Sequence, residues 1–156
     1  MFMRKDIVDL AREGIAFDIP EKGGVGLTVY NGTGSAMALG DVAVLTFGYA
    51  SGSYMKATTP ATSSVYQYVV VALEAIASTA IGRVQIIGEC EAYVEGTTDV
   101  AAGDFLEVTN TKNEFYKDGS SRSTNSAAIA VDAQATNSNV LSTVFLLGER
   151  VIIAAS

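Results

Sequence analysis

At 156 residues, 49% of them hydrophobic, the chain is long enough to bury a real core as one domain, and its 17% charged residues fall short of the roughly 25% usual for soluble domains. A net charge of −7 disfavours nucleic acid as a partner, because neutralising phosphates takes a dense basic face that ten scattered Lys and Arg do not supply. The lack of histidine removes the commonest general base and metal ligand, and a single cysteine excludes an internal disulfide or a thiolate metal cluster.

Residues 1–22 stand apart from the rest of the chain. They hold nine charges, from Arg4 to Lys22, and Asp6 is placed to cap a short helix with Ile7, Leu10 and Ala11 on one face and Gly14 at its end. Ile15–Phe17 and Pro20 lead out in extended form. This segment has no apolar core of signal-peptide length, and no run in the chain reaches the ~20 apolar residues that cross a bilayer, so neither Sec export nor a membrane span is expected. We divide the chain into an N-terminal arm, 1–22, and a β-rich body, 23–156.

From Gly23 to Leu73 only Asp41 and Lys56 are charged. Val25–Tyr30 reads as a strand. Asn31-Gly32 is a two-residue hairpin signal, because both residue types tolerate positive φ. Asn31-Gly-Thr33 also spells a glycosylation acceptor, read here as incidental. Val42–Phe47 is a second strand, Ser53–Lys56 a third, and Thr58–Ser64 a loop.

The longest apolar stretch, Val69–Gly96, comes next. Val69, Val71, Leu73, Ala75 and Ala77 fall on one strand face and Val70, Ala72 and Ile76 on the other, with Glu74 the only charge, as in a strand covered on both sides. Leu73, Ile76, Ala77, Ala80 and Ile81 also have helical spacing, but three consecutive valines favour the strand over 71–80. Gly82 breaks the run, Arg83–Gly88 alternates, and Cys90–Val94 makes a further strand after a kink at Gly88. Cys90 alternates with Glu89 and Glu91, which places its thiol inside as a structural group. Phe105–Thr109 and Glu114–Tyr116 read as a hairpin, Asp118–Ser126 as a polar mobile loop, Ala127–Val131 as a strand and Ala133–Asn139 as a loop. Val144–Leu147 and Val151–Ala154 close the chain. About ten short strands predict a mainly β fold, a single barrel or sandwich-like domain.

An internal repeat is visible. Ala38-Leu-Gly-Asp41 matches Ala101-Ala-Gly-Asp104, Val71–Ala75 matches Ile129–Ala133, and Val84–Glu89 matches Val144–Glu149, at offsets of 63, 58 and 60 residues in the same order. Gly40, Gly88, Gly103 and Gly148 are the expected turn positions, with Asp41 and Asp104 bonding nearby amides.

Catalytic templates fail. There is no phosphate-cradling G-x-x-x-x-G-K-[ST], no G-x-S-x-G and no His-based metal motif. Gly23-Gly24-Val-Gly26 precedes a strand instead of coming after one, a poor dinucleotide site. Glu89, Glu91 and Glu95 share one strand face, and a cation held there is the alternative to a solvated edge. Tyr66, Tyr68, Tyr93 and Tyr116 suit either an interface rim or the core. The reading is a non-enzyme with no catalytic residue, cofactor or metal.

The order Ala72-Leu-Glu74, Ile81-Gly-Arg-Val-Gln-Ile-Ile-Gly88, Cys90-Glu-Ala-Tyr-Val-Glu-Gly96, Val100-Ala-Ala-Gly-Asp-Phe-Leu106, then Ala128-Ile-Ala-Val-Asp-Ala133 and Val144-Phe-Leu-Leu-Gly148, resembles the capsid decoration, or cement, proteins of tailed bacteriophages. The resemblance covers roughly residues 69–149 and rests on strand and turn patterning. It implies a β-rich homo-oligomer, a trimer favoured, made in the host cytoplasm and placed on the outer surface of the phage head, where it would brace major capsid protein subunits. It also implies an arm along the shell, for which Phe2, Met3, Arg4, Lys5, Ile7, Leu10 and Phe17 are the candidate contacts. The alternative is another virion β module, such as a tail, fibre-base or receptor-binding domain.

Overall fold

A 14-residue strand, Ile81–Val94, runs through the middle of the molecule and belongs to two barrels at once. The structure is a computed structural model that describes residues 17–18, 23–51, 54–63, 66–95, 99–119, 121–134 and 139–153. In chain order the strands are β1 (Phe17–Asp18), β2 (Val25–Asn31), β3 (Val42–Ser51), β4 (Tyr54–Thr58), β5 (Gln67–Ala72), β6 (Ile81–Val94), β7 (Phe105–Val108), β8 (Phe115–Gly119), β9 (Ser126–Ala130), β10 (Val140–Leu146) and β11 (Arg150–Val151). Among the described residues there is no helix.

The first barrel runs β2-β4-β3-β5-β6 and closes where β6 returns to β2, with β2 and β4 parallel and the other pairs antiparallel. The second runs β6-β8-β7-β9-β10 and closes in the same way, with β6 and β8 parallel at Val94 and Phe115. The predicted mainly β fold is therefore correct, and the internal repeat is the reason for it: each half is a closed five-stranded barrel. The two barrels are joined through β6. Closure leaves few unpaired edges, which is how a chain of short strands satisfies its backbone groups.

Equivalence between the barrels reaches single hydrogen bonds. Gly40 N–H donates to Ala72 O at 2.9 Å and Gly103 N–H to Ala130 O at 2.8 Å. Met37 and Ile76 exchange backbone bonds, as do Val100 and Gln134. Gly32 N–H donates to Ala57 O and Glu95 N–H to Phe115 O, both at 2.8 Å. The register thus equates β2 with the second half of β6, and β3, β4 and β5 with β7, β8 and β9.

Alternation fills each barrel. Leu27, Val29, Ala43, Leu45, Val70, Ala72, Val84 and Ile86 fill the first, and Cys90, Ala92, Leu106, Val108, Ala128, Ala130, Val144 and Leu146 the second. The opposite face of β3 and β5 is also apolar. Val42, Val44, Val69 and Val71 are 2%, 1%, 4% and 0% exposed and form one buried cluster with the second barrel's interior and with Val151 and Ile153. Burying a valine is worth roughly 1.5–3 kcal/mol, so four of them rival the net stability of about 5–15 kcal/mol of an ordinary domain. The two barrels are one body, and the two-sided apolarity of Val69–Ala72 is explained.

Two local expectations change. The strand over 71–80 stops at Ala72, and Leu73–Ala80 is a turn held by the Met37–Ile76 bridge, by Arg83 N–H donating to Glu74 Oε1 at 2.9 Å, and by Thr79 at φ 64°. Asn31-Gly32 is no hairpin turn, since β2 pairs β4 in parallel and not its neighbour β3. The Asn31 side chain instead ties two loops together. Its Nδ2 donates to Ser35 O, Ile76 O and Ala77 O at 2.8–3.1 Å, and its Oδ1 accepts from Thr33. A fully buried amide so engaged is no glycan acceptor. In the Asp118–Ser126 stretch, read as a mobile loop, the described residues include a local tie: the Asp118 carboxylate accepts from the Ser123 and Ser126 hydroxyls.

Candidate functional site

The Gly-Asp turns are the most repeated local feature, and each opens the strand after it. In the first, Asp41 Oδ2 accepts the Ala38 N–H at 2.8 Å and Gly40 sits at φ 87°. In the second, Asp104 Oδ2 accepts the Ala101 N–H at 2.8 Å and Gly103 sits at φ 91°. Both glycines take a left-handed conformation that a side chain would oppose. Gly40 and Gly103 lie in these turns, and Asp41 and Asp104 come next, just before β3 and β7.

Beyond the backbone the turns diverge. Asp104 Oδ2 is 2.8 Å from Lys117 Nζ, which also donates to Asp99 O at 2.8 Å. The Lys117 contact, with the Ala101 N–H, holds the Asp104 carboxyl below its usual range. Asp41 accepts from Asn113 Nδ2 at 2.9 Å, an amide that arrives from the β7–β8 loop of the other barrel. Burial pushes the Asp41 carboxyl up, the Ala38 N–H and Asn113 oppose that shift, and the Glu114 carboxylate adds to it. Beside Asp41 lies a cavity of about 280 Å³ whose lining includes Thr33, Ser35, Thr59, Thr111 and Asn113.

Gly88 is not a turn. It lies inside β6 at φ 98°, where the strand leaves one barrel for the other, and a Cβ there would stand 2.8 Å from Gly24 Cα. Gly24, at φ 91°, is equally confined, because a Cβ would collide with the Ile87 carbonyl oxygen. Gln85, 1% exposed, bridges this crossing by donating to Ile87 O at 3.0 Å and Glu89 O at 2.9 Å. Gly23-Gly24 thus serves close backbone approach. Gly148, at φ 65°, comes two residues after the end of β10.

The outer surface of the second barrel carries an apolar row. Phe105, Ile129 and Phe145 are cross-strand partners on β7, β9 and β10, with Phe145 44% exposed. Val131, next after β9, and Leu141, on β10, are also exposed, at 41% and 38%. By register the row corresponds to Val42, Val71 and Gln85 of the first barrel, all buried. Equivalent positions thus differ in outcome: buried in the first barrel, half-buried at Phe105 and Ile129 and exposed at Phe145 in the second.

The other sequence candidates scatter. Phe2, Met3, Arg4, Lys5, Ile7 and Leu10 lie outside the described residues, and Phe17 is described only through its pairing with Leu27. Cys90 is buried at 3% exposure. Glu91 is exposed, Glu89 and Glu95 are half-buried, and among the described residues no three His, Cys, Asp or Glu are placed to hold a metal ion. Tyr68 is buried, Tyr66 is 50% exposed, and Tyr116 donates to Glu114 Oε1 at 2.8 Å. Residues the pattern missed are Asn31, Gln85, Lys117 and Gln134, whose Nε2 donates to Val94 O and whose Oε1 accepts from Ser142. They are polar groups that work by reaching backbone or charge far along the chain, and no local period marks them.

No family model matches the chain, and no curated protein matches it. Among solved structures, the fold is similar to the N base of the head fiber gp8.5 of bacteriophage phi29, with a TM-score of 0.49 and 11% identity, covering 80% of this chain and 95% of that one.

Proposed function

We propose that this chain is a structural virion protein that binds the outer surface of a tailed-phage head and stabilises contacts between major capsid subunits, without catalysis or cofactor. The observation that carries its oligomeric part is the apolar row Phe105–Ile129–Phe145 on the second barrel, half-buried at Phe105 and Ile129 and exposed at Phe145, whose counterpart in the first barrel the chain covers itself. An apolar row on a rigid closed barrel is a packing face for protein, and its occupant here is a second copy of this chain, in a trimer. The sequence resemblance to capsid decoration proteins supplies the setting. Residues 1–22 then act as the arm along the shell, and repeated weak contacts on a lattice add through effective concentration.

The test is incubation of the protein with undecorated phage heads, then pelleting. Saturation in proportion to the number of capsomers is the expected result. Failure to pellet, or saturation at the few copies of a tail or fibre-base part, overturns the decoration role. Phe145→Asp should shift sedimentation from oligomer to monomer without lowering Tm, and wild-type sedimentation by that variant removes the row from the interface.

A further inference from the structure

We propose that the cavity beside Asp41 is a receptor for a primary ammonium group, carried by a lysine side chain of a neighbouring protein chain. The second barrel shows what the cavity takes. There, Lys117 Nζ sits 2.8 Å from both Asp104 Oδ2 and Asp99 O. The register that equates Ala57 with Phe115 places Thr59 where Lys117 stands, and the register of the Gly-Asp turns places Asp41 at Asp104 and Ala36 at Asp99. Asp41, Thr59 and Ala36 all line the cavity of about 280 Å³. Replacing lysine by threonine removes the ammonium and most of its stem but keeps the acidic end of its site.

The charge balance agrees. Asp41 is 7% exposed and Glu114, also 7% exposed, stands close enough to disfavour its ionisation. Among the described residues no Lys or Arg pairs with Asp41, whose carboxylate takes only the neutral donors Ala38 N–H and Asn113 Nδ2. A buried carboxylate without a counter-charge is costly, and a cation entering the site gains what the protein itself has left out. Ser35, Ala36, Thr111 and Asn113 are exposed, so the cavity opens at the surface and an external side chain can enter. Its volume suits an extended lysine stem and is far more than a bare metal ion needs. The inference does not depend on the virion reading.

The test is NMR of the whole protein titrated with Nα-acetyl-lysine methylamide, tracking the Asn113 side-chain amide and the Ala38 backbone amide. A saturable shift is expected, absent with the Nε-acetylated probe and with sodium chloride at matched ionic strength. Asp41→Asn should weaken it at least tenfold. Thr59→Lys should abolish it by filling the site from within, while raising Tm by roughly 2–4 °C. No saturable shift, an unchanged affinity in Asp41→Asn, or full binding in Thr59→Lys overturns the proposal. A response to calcium chloride but not to the lysine probe overturns it in favour of a metal ion. If Asp41→Asn does not fold, the Thr59→Lys result decides.

Discussion

The first and second barrels have the same strand order, the same parallel closure and the same Gly-Asp turn, and they differ in what surrounds those shared parts. In the first, Asp41 meets an amide and a cavity; in the second, Asp104 meets Lys117. In the first, Val42 and Val71 are buried by the rest of the chain; in the second, their counterparts Phe105 and Ile129 lie in a row that ends on exposed Phe145. What persists between the copies is what the backbone requires, because buried N–H and C=O groups must all be paired. What diverges is side chains at barrel ends and outer walls, where each copy has different neighbours.

The comparison is broken most severely at the crossing. Gly88→Ala forces a left-handed residue to carry a Cβ against Gly24, and should cost roughly 3 kcal/mol or more in denaturant unfolding. Gly103→Ala, at a left-handed glycine of the second barrel where a Cβ would meet nothing within 4 Å, should cost only the conformational penalty of about 1–2 kcal/mol. Equal losses would show that the shared strand places no special demand on Gly88.

Next come the buried amides. Asn31→Ala removes donors from three carbonyl groups and should destabilise by about 3 kcal/mol, near the upper end for unsatisfied buried groups. Gln134→Ala, which frees the Val94 carbonyl and one serine, should cost about 1 kcal/mol. A reversed order would mean that the second barrel, not the first, depends on its polar tie.

The turn aspartates should respond to pH in opposite senses. Asp104 has its pKa lowered in the fold, so its contribution is present above the ordinary carboxylate pKa of about 4 and is lost as pH falls through the folded value. Asp41 has its pKa raised, so its ionisation opposes folding at neutral pH, and that cost disappears as pH falls through its folded value. Melting curves from neutrality down to about pH 3 should therefore show a flatter acid limb for Asp104→Asn. Asp41→Asn should show a steeper limb and little loss at neutrality. Parallel acid limbs in the two variants would remove the distinction.

The smallest effect is spectroscopic. Tyr116, shielded from water and bonded to Glu114, has its pKa pushed up to about 12. An alkaline absorbance titration should show a late step in wild type that Tyr116→Phe removes, and an ordinary value for Tyr116 would mean that the Glu114 contact opens.

Much of this architecture is written locally. Alternation in Val25–Tyr30, Arg83–Gly88 and Phe105–Val108 marks strands because side chains on a strand point to opposite faces. The Gly-Asp turns and their ordered offsets mark the repeat, since only glycine takes their positive φ without strain, and the acids beside Cys90 mark its inward direction. The same local rules misread Leu73–Ala80 and Asn31-Gly32, where contacts from elsewhere decide the backbone.

The sequence by itself determined most of the strands, the two Gly-Asp turns and the duplication, since each depends on residues a few positions apart. Only the tertiary structure decided that β6 runs unbroken through Gly88 into a second barrel. It also decided that the outer valines of β3 and β5 are core, and that Asp104 has a lysine where Asp41 has a cavity. Those outcomes join residues that closure of each barrel brings together from far along the chain, and no short-range period records which partner closure will choose.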